Sequence, residues 1–113
     1  MTREEVANMI TSMNLPCAYN EFNDNTPQEP PFICWFFARS DDFIADNQNF
    51  QNIEVLNIEL YTKYKDFELD DAIEAVLQSA GLVWYKETNY VETEKIFQTA
   101  YECEVVITAS TDT

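Results

Sequence analysis

Residues 52–65, NIEVLNIELYTKYK, decide the fold. From Leu56 onward, Leu56, Ile58, Leu60, Thr62 and Tyr64 fall on one side, and Asn57, Glu59, Tyr61, Lys63 and Lys65 on the other. A period of two marks a half-buried strand. The stretch is rich in β-favouring residues and contains neither Gly nor Pro. At about 3.3 Å per residue it spans more than roughly 40 Å, long for a strand in a small protein. Ile53 and Val55 have the opposite parity to Leu56 and Ile58, so the apolar face changes sides between Val55 and Leu56. A bulge or strong twist is expected there.

Upstream, residues 32–38 (FICWFFA) are apolar on both faces, as in a strand covered on both sides by helices or by a neighbouring subunit. Residues 39–50, RSDDFIADNQNF, are a polar excursion with aromatic anchors and read as the tip of a hairpin joining the two strands. Loops of that size are often functional surfaces. Asp41, Asp42, Asp46 and Asn47 suggest calcium, but the ligand spacing and the obligatory turn glycine of a calcium loop are missing.

Downstream, residues 66–80 (DFELDDAIEAVLQSA) form a helix with an apolar stripe of Leu69, Ile73, Val76, Leu77 and Ala80. Glu68, Asp70 and Asp71 crowd its first turns, where the helix dipole favours negative charge. Gly81, the single glycine of the chain, stands where a left-handed cap is wanted. Residues 82–87 read as a strand, 88–92 as a polar turn, and 94–108 as a second long strand with Phe97, Thr99, Tyr101, Cys103, Val105 and Ile107 on one face.

At the start of the chain, Thr2 and Glu5 have the spacing of a capping box, followed by Val6, Met9, Ile10 and Met13 at helical spacing. Asn14 and Pro16 close that helix. CAYNE, residues 17–21, is a short strand, and NDNTPQEPP, residues 23–31, a loop with three prolines. The tail, ASTDT, is expected to fray. The order α-β-β-β-α-β-β describes a single α+β domain over residues 1–113: an antiparallel sheet of four to five strands, two helices packed on it, and a long hairpin around 32–65.

Composition narrows the function. The 113 residues hold 21 acidic and 6 basic side chains, a formal net charge of -15. Such a chain repels phosphate backbones, which argues against nucleic-acid binding and leaves solubility, a basic partner or avoidance of DNA. There is no His, which removes the commonest general base and metal ligand. Three cysteines, Cys17, Cys34 and Cys103, without CxxC spacing, suggest a reducing place of synthesis and no disulfide framework. No apolar run approaches the ~20 residues of a membrane span, and the acidic, amphipathic N-terminal stretch is unlike a signal peptide, so a soluble protein is expected. Glu92 and Glu94 are the nearest thing to an acid/base pair, but no supporting group accompanies them. Trp35 and Trp84 read as core or interface anchors. Neither catalysis nor a cofactor is expected.

Taken in order, CAYNEF, PPFICWFF, DDFIADNQNF, NIEVLNIELYTKYKD, ELDDAIEAVL and VETEKIFQTAYECEV resemble the small tail proteins from the head–tail morphogenesis cluster of long-tailed phages and prophages of Gram-positive bacteria. The resemblance covers residues 16–106 and rests on the joint order of these stretches. It implies a fold similar to tail-terminator and tail-completion proteins. It also implies a structural role in a homomeric, hexameric ring at the head-proximal end of the tail tube. The implied partners are other copies of the chain, the tail tube protein and the head-completion or connector protein. The implied location is the host cytoplasm during assembly and then the tail or neck of the virion. Neck, head-closure and minor capsid proteins of the same cluster are alternatives, as is an acidic inhibitor or DNA mimic that binds a basic protein. Phe32, Trp35, Phe37, Phe43, Ile44 and Phe50 are the expected subunit or partner interface.

Overall fold

A computed structural model of the chain describes residues 1–22, 28–45 and 48–108, and for 43–45 and 48–51 the backbone only. Helix α1 (Arg3–Thr11) is followed by strands β1 (Cys17–Tyr19), β2 (Phe32–Ser40), β3 (Phe43–Ala45), β4 (Gln48–Gln51) and β5 (Ile53–Thr62), helix α2 (Phe67–Ser79), and strands β6 (Trp84–Val91) and β7 (Ile96–Val106). The architecture is α+β as expected. The hairpin tip adds a two-stranded sheet of its own, β3 with β4. The main sheet has the order β1-β2-β5-β7-β6, antiparallel except where β1 runs parallel to β2.

Local chemistry sets the ends of both helices. The Thr2 hydroxyl accepts from the Glu5 amide at 3.1 Å, and the Thr2 amide donates to the Glu5 carboxylate at 2.8 Å. These bonds hold the Glu5 carboxyl below its ordinary range. The Asp66 carboxylate accepts from the Leu69 amide at 3.0 Å and starts α2. Gly81 has a φ of 77°, and the Leu82 amide donates to the Leu77 carbonyl at 3.0 Å, closing α2 in a left-handed cap.

One face of the sheet carries the core. Leu56, Ile58 and Leu60 of β5 and Tyr101, Cys103 and Val105 of β7 pack with Val6, Met9 and Ile10 of α1 and Ile73 and Leu77 of α2. Both helices therefore lie on the same side. Opposed residues such as Ile58 and Tyr101 share that face, in keeping with the alternation of a pleated strand.

Three expectations are corrected. The break between Val55 and Leu56 does not lie in β5, which pairs with β7 in unbroken register. The bulge sits opposite, in β2, where Phe37 faces Leu56 and Arg39 faces Val55, leaving Ala38 as the extra residue. Val55 and Leu56 are both fully buried, so the change of parity in β5 records cover on both faces at that point. The 52–65 strand is shorter than expected and ends at Thr62. Residues 88–91, read as a turn, belong to β6, and the turn falls between Val91 and Ile96. Polar residues on an exposed edge strand look like a loop in sequence.

The expected loop over 23–31 is described only from Gln28 onward, and the bond between Pro30 and Pro31 is cis. Asp46, Asn47 and the 109–113 tail lie outside the described residues. No helix is long and apolar enough to cross a membrane among the described residues.

Candidate interaction surface

The second face of the sheet has no helix on it among the described residues. Alternation along each strand places Phe32, Cys34 and Phe36 of β2, Asn57, Glu59 and Tyr61 of β5, Gln98, Ala100, Glu102 and Glu104 of β7, and Tyr85 and Glu87 of β6 on this open face. Most are half-buried or exposed, whereas Cys34 is buried.

One end of the open face is aromatic. Phe32 stacks on Tyr61 at 4.9 Å between ring centroids, and Phe22 meets Phe32 edge-on at 5.4 Å. The Tyr61 hydroxyl donates to Glu59 at 3.0 Å and accepts from the Gln98 side chain at 2.9 Å. Burial pushes the Tyr61 phenol up to about 12.

The other end is acidic. Glu102 pairs with Arg39 at 3.2 Å. A side-chain hydrogen bond with Asp41, together with the charge of Asp41, raises the Glu104 carboxyl above its ordinary range. Shallow depressions flank Tyr85: one of 330 Å³ toward Val83 and Glu104, another of 430 Å³ toward Asn57 and Ala100. Four more of the six basic residues are engaged elsewhere: Arg3 with Glu54, Lys63 with Glu29, and Lys65 and Lys86 with Asp70. With five of the six cations occupied in pairs, the surplus of acid stays on the surface.

Beneath the sheet lies a polar cluster. The Asp70 side chain, 1% exposed, takes the ammonium groups of both Lys65 and Lys86 on one oxygen. Lys86 also reaches Glu74 at 2.8 Å, and the Tyr101 hydroxyl donates to the same Glu74 oxygen at 2.8 Å. Burial drives the Tyr101 phenol far above its ordinary value, and the neighbouring carboxylates add to that. Asp70 is thus more than a dipole partner at the start of α2: it fastens the helix to the end of β5 and to β6. Spacing along the chain does not reveal this, because the two lysines reach it from different elements.

The residues expected at an interface do not share one surface. Phe32 lies on the open face, whereas Trp35 and Phe37 pack against the core on the helix face, where Trp35 meets Tyr19 edge-on at 4.9 Å. Phe43 and Ile44 lie in β3 and Phe50 in β4, with side chains outside the described residues. Trp84 also packs against the core. Not anticipated were Val83 and Tyr85, 79% and 80% exposed beside the sheet edge.

Two of the three thiols, Cys34 and Cys103, are buried. Burial raises the Cys34 thiol and pushes Cys103 up to about 11, which keeps both protonated at neutral pH. Among the described residues no group of three or more acidic or Cys side chains is arranged to hold a metal ion. The arrangement suits contact between surfaces. No family model matches the chain, and no curated protein matches it.

Proposed function

We propose that this chain is a structural subunit of phage assembly, a tail-terminator or tail-completion protein. In this reading copies of it close into a ring, a hexamer by the resemblance drawn above, at the head-proximal end of the tail tube, between the tube protein and the head connector. The observation that carries the reading is the one-sided sheet, with helices on one face and an uncovered acidic and aromatic face on the other. A ring closed by rotation needs two dissimilar complementary surfaces on each subunit. The open face and the β2–β5 arm, with the β3–β4 hairpin at its tip, are two such surfaces. Asp41, Glu59, Glu87, Glu102 and Glu104 outnumber Arg39 on the open face, and a face of that sign turned toward the lumen lets DNA pass without sticking. The same features suit a head-closure, neck or minor capsid position in the same cluster.

The same acidic face favours a second reading, a protein that masks a basic partner. Light scattering coupled to size exclusion, with and without tail tube protein, separates the two. A ring-sized particle, lost when Phe43, Ile44 and Phe50 are replaced by Ser in a still-folded chain, is the expected result. A strict monomer that binds a defined Lys/Arg-rich protein and ignores tail tube overturns the assembly reading.

A further inference from the structure

At the aromatic end of the open face, Phe32 of β2 stands opposite Tyr61 of β5, and the two rings stack. Phe22, from the segment after β1, meets Phe32 edge-on. These three rings line a cleft of about 440 Å³, within the size range of ligand pockets, about 300–1,000 Å³. Two carboxylates, Glu21 and Glu94, belong to the same lining, and both residues are exposed. A third, the half-buried Glu59, accepts the Tyr61 hydroxyl at 3.0 Å.

The chemistry of the lining selects a cation. Ring faces carry the negative part of an aromatic quadrupole, so rings and carboxylates attract the same sign of charge. No basic residue is among those that line the cleft. The chain does not supply the missing charge. Arg3, Arg39, Lys63, Lys65 and Lys86 are paired with acids elsewhere, and Lys95, exposed in the turn before β7, does not line the cleft. Residues 23–27, NDNTP, which join Phe22 to Gln28, contain no cation either.

We propose that this cleft takes the guanidinium of an arginine presented by a basic partner protein, laid against the aromatic rings and paired with Glu21 and Glu94. Charge complementarity separates this occupant from the others. A phosphate or carboxylate ligand meets three acids, and a second copy brings a formal charge of -15 with both of its arginines already paired. An uncharged apolar ligand strips water from the carboxylates and returns nothing to them. Arginine suits the cleft better than lysine, because its planar, weakly hydrated head stacks on rings while its edge donates to carboxylates.

The site rests on neither reading of function given above, since a tail protein and any other basic chain can each present an arginine. It is tested by heteronuclear NMR of the whole chain at about 0.15 M salt, where long-range attraction is screened. The probes are a capped Ser-Gly-Arg-Gly-Ser peptide and its lysine and citrulline counterparts. The arginine peptide is expected to shift the resonances of Phe22, Phe32 and Tyr61 and to bind about fivefold more tightly than the lysine peptide and more than tenfold more tightly than the citrulline one. Phe22→Leu and Glu94→Gln, both outside the strands, are expected to weaken it by about fivefold and about threefold. Glu68→Gln, exposed on α2 at the other face, is expected to leave it unchanged. Far-UV circular dichroism checks that each variant folds. Shifts spread over the acidic surface, equal binding of the three peptides, or equal losses in Glu68→Gln and Glu94→Gln overturn the proposal. Arginine binding at the cleft in a chain that never forms a ring leaves the site standing and sinks the assembly reading. A ring formed by a chain whose cleft ignores arginine does the reverse.

Discussion

The ammonium of Lys86, on the outermost strand of the sheet, lies 3.1 Å from the Asp70 carboxylate in the first turns of α2. Lys65 approaches the same oxygen from beyond β5, so three elements meet on one buried carboxylate whose other oxygen has no hydrogen-bond partner among the described residues. Removing one member of a buried ion cluster leaves uncompensated charge or unpaired donors. Asp70→Asn is expected to lower stability by about 3 kcal/mol in urea unfolding. Lys86→Met is expected to cost less, because that side chain is 33% exposed and Lys65 remains. If Lys86→Met proves the more damaging, Asp70 is not the centre of the cluster.

Alkaline pH acts on this cluster and on Tyr61 of the open face. An unfolded tyrosine ionises near about 10, whereas burial holds Tyr61 up to about 12 and Tyr101 higher still. Burial lowers the pKa of Lys86, but hydrogen bonds to Glu74 and Asp70 more than offset this and leave it raised. All three groups bind a proton more tightly when folded. Their contribution is therefore complete below pH ~10 and is lost as pH rises through the folded values. The urea midpoint should fall from about pH 10 upward, and Tyr101→Phe should flatten that fall. An unchanged slope in Tyr101→Phe would assign the alkaline loss elsewhere.

Gly81 separates backbone strain from crowding. A Cβ built there meets nothing within 4 Å, yet the residue holds a φ of 77°. The cost of Gly81→Ala is then conformational alone, about 1 kcal/mol, and Gly81→Asn should cost less because Asn tolerates the left-handed region. Equal losses in the two variants would point to a packing role that the open surroundings do not suggest.

These features differ in how far they can be read from the chain. Leu56, Ile58 and Leu60 alternate with polar residues because one face of β5 is buried, so periodicity identifies the strand and its inward side. The stripe from Leu69 to Leu77 and the glycine after it identify α2 for the same reason. Residues 32–38 are apolar throughout, so parity sets Phe32 against Trp35 and Phe37 but does not say which of the two faces meets the helices. Thr88, Asn89 and Tyr90 are exposed because they lie at a sheet edge, where a strand has no buried side to announce it. The bulge at Ala38 belongs to a pair of strands, and the parity change in β5 indicates where it falls but not on which strand. Asp70 looks like any acid at a helix start, since its burial depends on lysines brought in by tertiary contact.

Asp41 and Glu104 offer the last test, because they oppose like charges on a molecule with few free cations. The Glu104 carboxyl is raised above its unfolded value by its hydrogen bond with Asp41 and by the charge of that residue. A raised carboxyl favours the folded state when protonated and opposes it once ionised, so at neutral pH this pair destabilises the fold. Glu104→Gln should therefore raise the melting temperature at pH 7. The gain should vanish as pH falls through the carboxylate range, where the wild type takes up the proton itself. It should also shrink with salt, since screening shortens from ~30 Å at 0.01 M to ~3 Å at 1 M. The wild type itself should melt higher as salt is added, because its five acids on the open face answer to Arg39 alone. A melting temperature indifferent to salt, with Glu104→Gln no better than wild type at 0.01 M, would mean that the acids are too far apart in solution to repel.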